Sequence, residues 1–325
     1  MDSAGTLQWR PVVPADVPAM TTLFAEIERA DQYGWHFDAD FLARWLADPM
    51  IELDRGSTVA FDADRMVATG VLAARHDADP VHAMRYEGGV HPAYRGRGLG
   101  AALLDWAVRA AGPIHADRFA GLPLEVQCGV PAADEAAAAL FAQHGFKPAR
   151  YFRKMTRGLD RDGLPPVRVP AGFEIAAYRA DLDEPMRVAK NEAFAEHWGV
   201  TPTPPEMWRS WFTGPEFQPE LSPLAVDAAT GEIVGLIVTL LRAAETAATG
   251  KKDAYLNNVA TLRRARGLGI ATALLATMLR AACEHGFDSA SLEVDTENPT
   301  GALGVYEKSG FAVVDTWVTC ARDVA

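Results

Sequence analysis

The sequence is poor in cysteine: Cys128, Cys283 and Cys320 are the only three in 325 residues, and none belongs to a C-x-x-C pair. This scatter argues against a disulfide framework or a cysteine-based zinc site and favours a reducing cytoplasm. The chain also lacks an uncharged run of membrane-spanning length and a basic N-terminal segment that leads into an apolar core. We therefore expect a cytoplasmic protein with no membrane partner.

Basic residues are outnumbered, with 31 Lys and Arg against 43 Asp and Glu and a net charge of −12. A general nucleic-acid binder is expected to be basic, so this balance argues against a nucleic-acid partner. It is compatible with a cationic or amine-bearing small substrate, or with solubility alone. The histidines His76, His82, His115 and His285 have no partners at ligand spacing, and we predict no metal site.

What the sequence does contain is one pattern that occurs twice. Residues 90–100 read V-x-x-x-x-R-x-x-G-x-G, and residues 259–269 read the same way, 259 − 90 = 169 positions later. An Ala- and Leu-rich run of helical character follows each copy. A diphosphate-binding loop needs these parts, because glycines let the backbone approach phosphate oxygens, a helix N-terminus offers free N–H groups and arginine supplies charge. The repeat therefore predicts a duplicated fold with two cofactor-type loops.

The duplication extends beyond the loops. Each half reads as strand, helices, antiparallel strands, glycine loop, helix, strand, helix and strand, with the Gly-Phe pairs 145–146 and 310–311 before the last strand. That mixture predicts an α+β (mixed α/β) fold rather than a doubly wound sheet. The polar stretch 157–166, rich in helix and strand breakers, is the predicted linker. We place an N-terminal domain at residues 1–164 and a C-terminal domain at residues 165–325, which matches domains of about 150 residues.

Together these features resemble the GCN5-related N-acetyltransferases (GNAT superfamily). The resemblance consists of a strand, an R-x-x-G-x-G turn and a helix, followed by a strand, Asn298, the helical Tyr306 and Gly-Phe. The two-copy arrangement is similar to tandem members such as the mycothiol synthases. The resemblance implies two mostly antiparallel mixed sheets flanked by helices, each splayed between its fourth and fifth strands. It also implies acetyl-CoA as cosubstrate, held in that gap with its diphosphate on the glycine loop.

On this resemblance both halves carry cofactor-binding residues. In the second half they are Asn257, Val259, Arg264, Arg266, Gly267, Leu268, Gly269, Ile270, Ala271 and Asn298. In the first half they are Val90, Arg95, Arg97, Gly98, Leu99, Gly100 and Ala101. A lone glycine turn is equally typical of a tight strand–helix connection, but two copies at constant spacing favour a cofactor loop.

The two halves differ where the resemblance places catalytic groups. N-acetyl transfer needs one group that removes a proton from an ammonium and another that protonates the departing thiolate. The implied acid is Tyr306, where the first half has Phe141. The implied base is Asp253, six residues before Val259, where the first half has Met84; alternatively, Asp253 belongs to the polar turn before it. We therefore predict catalysis in the C-terminal domain only, with an N-terminal domain that binds CoA but is catalytically degenerate.

Acceptor-binding residues are expected after the first helix of the second half, where Glu196, His197 and Trp198 form a cluster. Such a group suits an amine, with His197 assisting proton removal, although a packed aromatic helix end explains it equally well. We predict an N-acetyltransferase that acts by direct attack of a small-molecule amine. A protein or peptide N-acetyltransferase and a non-catalytic acyl-CoA-binding regulator are the alternatives. The tandem arrangement favours a monomer and leaves a dimer open.

Overall fold

The computed structural model of this chain describes residues 7–78, 80–298 and 301–324. The chain forms two compact units, Met1–Tyr151 together with Trp317–Ala325, and Phe152–Thr316. We call them the first unit and the second unit. None of the helices in the described ranges is both long enough and apolar enough to cross a membrane.

The helices and strands follow the order expected for a repeated α+β fold. The strands are β1 (Gln8–Arg10), β2 (Ser57–Asp62), β3 (Arg65–Ala74), β4 (His82–Val90), β5 (Leu124–Pro131), β6 (Lys147–Gly158), β7 (Phe173–Ala176), β8 (Leu224–Asp227), β9 (Ile233–Leu240), β10 (Asp253–Thr261), β11 (Ser289–Asp295) and β12 (Ala312–Val324). The helices are α1 (Val17–Asp31), α2 (Ala39–Leu46), α3 (Leu53–Gly56), α4 (Leu99–Phe119), α5 (Glu135–Gln143), α6 (Asp183–Phe194), α7 (Pro205–Met207), α8 (Ala243–Thr249), α9 (Ile270–Glu284) and α10 (Ala302–Lys308).

The first unit is built on a sheet in the order β1-β2-β3-β4-β5-β12. Its neighbouring strands are antiparallel except for β4 and β5, which run parallel. Helix α4 packs its apolar stripe, including Leu103, Leu104 and Ala107, into the core over this sheet. Burial of these side chains is what holds the helix on the strands, since each large apolar side chain contributes about 1.5–3 kcal/mol when fully buried.

The second unit repeats the plan in the order β6-β11-β10-β9-β8-β7, with β10 and β11 as the parallel pair. Strand β9 is the most enclosed element, because all eight of its residues are buried. Its run of Ile, Val and Leu is typical of a strand covered on both faces. Helix α9 packs Ile270, Leu274 and Met278 into the core that β9 belongs to.

Both sheets splay at the same place. In the first unit the β4–β5 pairing covers His82–Arg85 and ends there, although β4 continues to Val90. In the second unit the β10–β11 pairing ends at Tyr255 and Ser291, although β10 continues to Thr261. The prediction of mixed, mostly antiparallel sheets that are flanked by helices and open between the fourth and fifth strands is confirmed.

The boundary between the units differs from the one predicted near residue 165. Residues 157–158, placed in the linker by their polarity, belong to β6 and pair with β11, and the first unit ends at Tyr151. The last strand of the chain returns to the first unit, where Trp317–Val324 pairs with β5. Each half of the sequence ends in a similar strand after Gly-Phe, so local pattern could not reveal which sheet that strand completes.

Candidate active site

The second unit carries a glycine turn between β10 and α9. After a short 3-10 turn, Gly267 and Gly269 adopt left-handed backbone angles, with φ of 78° and 89°. L side chains rarely adopt such angles, which explains glycine at both positions. The first amide that bonds back into the turn is that of Ala273, 3.1 Å from the carbonyl oxygen of Gly269. The amides before it point out of the helix end, where they suit an anion.

A cleft of about 440 Å³ lies against this turn, entirely within the second unit. It opens where β10 and β11 stop pairing, next to a β-bulge at Asn257 between the paired residues Leu256 and Asn258. Of the residues predicted from sequence, the cleft is lined by Asn257, Val259, Arg266, Gly267, Gly269, Ile270, Ala271, Asn298, Tyr306, His197 and Trp198. The turn, the predicted acid and part of the predicted acceptor cluster thus share one cavity.

Four predicted residues lie outside that lining: Asp253, Arg264, Leu268 and Glu196. Leu268 is 52% exposed, on the outer side of the turn. Arg264 is held by Glu192, at 3.1 Å, and by Glu232, at 2.7 Å. These three side chains are about half exposed, so the ion pairs are of surface type and contribute little to stability.

Arg266 ties the glycine turn to the end of α6. Its Nε donates to the carbonyl of Thr261, and its Nη2 donates to that of Ala193, each at 3.1 Å. Its Nη1 lies 3.1 Å from the Glu196 carboxylate, which also accepts a 2.8 Å bond from Arg263. Glu196, predicted as an amine ligand, is therefore engaged by two arginines.

Tyr306 lies on α10 with its ring packed edge-on against Phe311, 6.1 Å between centroids. The residue is only 8% exposed, and burial raises the pKa of its phenol well above the usual value. In the first unit Phe141 packs against Phe146 at the same 6.1 Å. The two ring pairs thus match in sequence spacing and in centroid distance, although their interplanar angles are 70° and 45°, and only the second unit has the hydroxyl.

The glycine turn of the first unit corrects the predicted repeat register. Its left-handed glycines are Gly96 and Gly98, with φ of 72° and 83°, and α4 begins directly after them. They occupy the places of Gly267 and Gly269, so the shift is 267 − 96 = 171 residues rather than 169. Gly100, predicted as a turn glycine, is instead the second residue of α4.

Overlapping matches explain the error. The second half contains R-x-x-G-x-G at residues 264–269 and R-x-x-G-x-A at residues 266–271. The spacing of 169 residues corresponds to the first match, but the backbone follows the second. Arg266 is therefore the counterpart of Arg95, and Thr261 is the counterpart of Val90.

The corrected register also changes the counterpart of Asp253. Strand β4 begins at His82 and β10 at Asp253, and each makes the first pair with its fifth strand, so 253 − 82 = 171 again. The prediction that Met84 is the first-half counterpart of Asp253 is wrong. Met84 corresponds to Tyr255, and the counterpart of Asp253 is His82. His82 is fully buried and contacts His115, with 2.9 Å between their Nδ1 atoms.

Asp253 itself faces the neighbouring strand β11. Its carboxylate accepts hydrogen bonds from the hydroxyls of Ser289, at 2.5 Å, and Ser291. Both oxygen atoms therefore accept hydrogen bonds from β11, in the last paired segment of the two strands before they separate. The structure places this residue beside the cleft rather than in its wall.

His197 lines the cleft opposite the end of β11. Its Nε2 lies 3.4 Å from the amide nitrogen of Asn298, and its ring lies 4.4 Å from that of Phe194. Burial, and after it the nearby Arg266, lower the pKa of His197, against the pull of Asp295 and Glu196. A neutral imidazole here is a proton acceptor in reach of the cleft.

Sequence reasoning missed two acidic residues of the cleft, Glu293 and Asp295 on β11. The only signal was their alternation with the buried Leu292 and Val294, which places both on one face of the strand. That signal is common to every half-buried strand. It does not mark a site until the splay beside it is known.

The first-unit residues predicted to bind CoA make mostly internal contacts. Arg95 forms two 2.7 Å bonds to Asp31 at the end of α1, and Arg97 donates to the carbonyl of Ala93. Val90 ends β4, Leu99 is buried, and Ala101 lies in the first turn of α4. A methyl group added at Gly100 would lie 2.9 Å from Cδ2 of Leu140 on α5.

Comparison with protein families gives two matches along the chain. Residues 184–311 match the family described as "Acetyltransferase (GNAT) family", and residues 54–148 match the "Acetyltransferase (GNAT) domain". The matches fall one in each half of the sequence. The turn, splay and α10 of the second unit all lie within the first of them.

Curated relatives span most of the chain. A mycothiol acetyltransferase from Nocardioides sp. is 30% identical over 303 residues, covering 85% of this chain and 95% of the relative. Another mycothiol acetyltransferase, from Salinispora tropica, is 31% identical over 310 residues, covering 92% and 89%.

Solved structures share the fold over the whole length. A GCN5-related N-acetyltransferase from Sphaerobacter thermophilus matches with a TM-score of 0.78 at 28% identity, covering 98% of this chain and 96% of the other. A tandem GNAT protein from the clavulanic acid biosynthesis pathway matches with a TM-score of 0.73 at 21% identity, covering 98% and 99%. The second likeness concerns the fold alone.

Proposed function

This chain belongs to the GNAT acetyltransferase family and is therefore an acyltransferase; from that premise we propose that its second unit transfers an acetyl group from acetyl-CoA to a small-molecule amine. The observation that carries the proposal is that one cleft joins the left-handed glycine turn to the buried phenol of Tyr306. The first is an anion site and the second a proton donor.

The walls of the cleft suit a CoA thioester. The free amides at the start of α9, together with Arg266, suit the diphosphate. Beyond Tyr255 the β11-facing edge of β10 pairs with no strand in the described part of the chain, so its backbone groups are available to a pantetheine arm in the manner of an added strand. Thr261 Oγ1 and His197 Nδ1 are buried in the cleft wall without a hydrogen-bond partner among the described residues. Polar atoms of this kind are typical of a site that a ligand completes.

Tyr306 is proposed as the acid. Acetyl-CoA supplies an activated acyl group, and the departing thiolate needs a proton. The raised pKa keeps the phenol protonated at neutral pH. Burial disfavours the developing thiolate as it disfavours the phenolate, so sulfur in this buried site is a stronger base than in water and can take the proton as the carbon–sulfur bond breaks. Asp253 stays a sequence-based prediction for the base, and it would have to act through Ser291 or a water molecule.

The first unit is proposed to bind CoA without transferring the acyl group. Its turn has the same pair of left-handed glycines, but Phe141 has no proton to give. The relatives named mycothiol acetyltransferases support a mycothiol-type amine as the first acceptor to test. Aminoglycosides and amines derived from amino acids complete a reasonable panel.

The test is a thiol-release assay with acetyl-CoA and this amine panel, together with calorimetry that counts CoA sites. We expect thiol release with at least one small amine and the mass of one acetyl group on the product. CoA binding without thiol release for any amine would support a non-catalytic sensor instead. Acetylation of peptides in preference to every small amine would favour a protein acetyltransferase.

A further inference from the structure

The carboxylate best placed to receive a proton in the cleft is that of Glu293. Strand β11 alternates, with Leu292 and Val294 buried in the same hydrophobic core as Tyr306. Glu293 therefore points to the opposite face of the sheet. The strands separate here, and the cleft is lined by β11 side chains from both faces, Glu293 as well as Leu292 and Val294. A phenol on one side and a carboxylate on the other bracket the gap.

Neighbouring side chains define that second face. Ser289 and Ser291 lie on it, because their hydroxyls bind Asp253 across the parallel pair. Ser291 forms the last pair with β10, so Glu293 is the first side chain on this face beyond the point of separation. It lies at the opening of the cleft from this side and lines its wall.

Other carboxylates near the cleft are already engaged. Asp253 is bound by two serines, and Glu196 by two arginines. Asp295 accepts a 2.9 Å bond from the amide of Glu297 and so closes the turn after β11. Within the described residues, the carboxylate of Glu293 makes no hydrogen bond and no ion pair.

Two basic residues, Arg242 and Lys154, lie on the same face of the sheet as Glu293. The guanidinium of Arg242 stacks on the ring of Tyr255, 3.6 Å from its centroid, on the same face. Burial lowers the pKa of Arg242, but Tyr255 and the carboxylates of Glu293, Glu245 and Glu216 outweigh that and raise it. Lys154, the residue opposite Glu293 in the β6–β11 pairing, is the other basic residue on this face.

We propose that Glu293 is the proton acceptor of the reaction and selects acceptors whose amine is a cation at neutral pH; this rests on the proposed function. The ammonium of the acceptor gives one proton to Glu293. The free amine nitrogen then forms the bond to the acyl carbon while the carbon–sulfur bond breaks. Tyr306 gives its proton to the sulfur and regains one from the nitrogen through solvent. Glu293 releases its proton to water, so the balance is one amide, one thiol and one proton.

The test compares E293Q with D253N in the full chain. We expect E293Q to lower kcat/KM about 100- to 1,000-fold, the usual contribution of a general base. Acetyl-CoA affinity by calorimetry should stay unchanged, because Glu293 lies on the face away from the turn. D253N should lose much less. A larger loss in D253N than in E293Q would overturn the proposal.

The pH profile separates a proton acceptor from a structural residue. In E293Q the rate should keep rising with pH up to the pKa of the acceptor amine, because only solvent then removes the proton. E293D should restore the profile of the unchanged protein at a lower rate. A profile in E293Q that matches the unchanged protein would also overturn the assignment. If the unchanged protein releases no thiol with any amine, it is the proposed function that fails, and this outcome is distinct from a loss confined to E293Q.

Discussion

The two units share the backbone that we propose for CoA binding and differ in the side chains beside it. Both splay between their fourth and fifth strands, and both turn through two left-handed glycines into a long helix. Only the second unit has a hydroxyl on the helix before Gly-Phe, at Tyr306, where the first has Phe141. A duplicated fold can thus keep the same turn and splay in both copies while the side chains beside them diverge, here at Tyr306 and Phe141 and at Glu293 and Cys128.

The units differ also in how the segment after the first helix is held. In the first unit the hydroxyl of Tyr33 donates to Asp134, and Trp35 stacks on Trp317 with 4.6 Å between ring centroids. In the second unit, the corresponding segment reaches the loop after β11 through the 3.4 Å contact of His197 with Asn298. In the first unit this segment packs on Trp317, whereas His197 of the second unit combines a ring contact with Phe194, at 4.4 Å, and a polar contact with Asn298.

Replacing the proposed acid tests this difference between the units most directly. We expect the Y306F variant to have the largest effect on turnover. Removing the hydroxyl should lower kcat about 100- to 1,000-fold, because the thiolate then leaves without a proton donor. Acetyl-CoA affinity should change little, since the ring and its contact with Phe311 remain. Steady-state kinetics and calorimetry on the same preparation measure both quantities.

The matched variant is F141Y in the first unit. It should not create a second activity, because the first unit also lacks an acidic residue in the place of Glu293: the aligned β5 position is Cys128. Turnover of Y306F near that of the unchanged protein would remove Tyr306 from the mechanism. Activity restored by F141Y in a Y306F background would show that the units are chemically equivalent.

The next prediction concerns the two glycine turns and is tested by counting the CoA sites that remain in each variant. G267E should weaken CoA binding in the second unit on the order of 100-fold, because a side chain is strained at φ 78° and adds negative charge near the diphosphate. G96E is the matched variant at φ 72°. Neither position has a heavy atom within 4 Å of an added Cβ, so neither change meets a steric clash.

Calorimetry should find two sites in the unchanged chain, with the first unit the weaker because Leu140 stands against the start of α4. G267E should leave one site and abolish turnover. G96E should also leave one site but keep turnover. A single site that disappears in G267E would show that the first unit has lost binding as well as catalysis.

The repeated fold and the splay could be predicted from the sequence, because both depend on local pattern at fixed spacing. The role of Tyr306 depends on the same pattern and stays a prediction. The alignment of the two halves at the glycine turn was predicted wrongly, because residues 264–269 and 266–271 both fit the pattern R-x-x-G-x-[G/A]. Backbone angles at Gly267 and Gly269 decide between them. The sequence pattern also failed at the last strand, because which sheet β12 joins is a property of pairing between distant residues. Glu293 could not be identified from the sequence either, because its proposed role depends on the gap between β10 and β11, which is set by strand pairing.

The two units should also differ in how their stability depends on acid pH. The difference is expected at the first paired residue of the fourth strand, which is His82 in the first unit and Asp253 in the second. Burial, and after it the charge of His115, lower the pKa of His82 to about 4 from 6.5. The folded state therefore binds this proton less readily than the unfolded state does. Stability should be complete above pH 6.5 and decline as the pH falls toward 4. The melting temperature measured between pH 4 and 7 should show this decline. In H82N the melting temperature near pH 4 should fall less, by a difference of several degrees.

The control for that measurement is D253N, which alters the same position in the second unit. It should leave the slope between pH 4 and 7 close to that of the unchanged protein, because it does not alter the His82–His115 pair. A slope unaffected by H82N would mean that other groups, and not the buried histidine pair, determine acid stability in the first unit.

The smallest effect is expected where the two units differ by one methyl group. Ala271 lines the cleft of the second unit, and its counterpart Gly100 has Leu140 against it, so an added Cβ would lie 2.9 Å from that side chain. G100A should cost about 1 kcal/mol from crowding and regain a similar amount from better helix propensity. The net change in unfolding free energy should therefore be near zero. In an L140A background the crowding is absent, so a double-mutant cycle by denaturant unfolding should give a coupling of about 0.5–1 kcal/mol. A coupling of zero would mean that α5 does not press on the start of α4, and the two units would then differ at this end of the site only in their polar side chains.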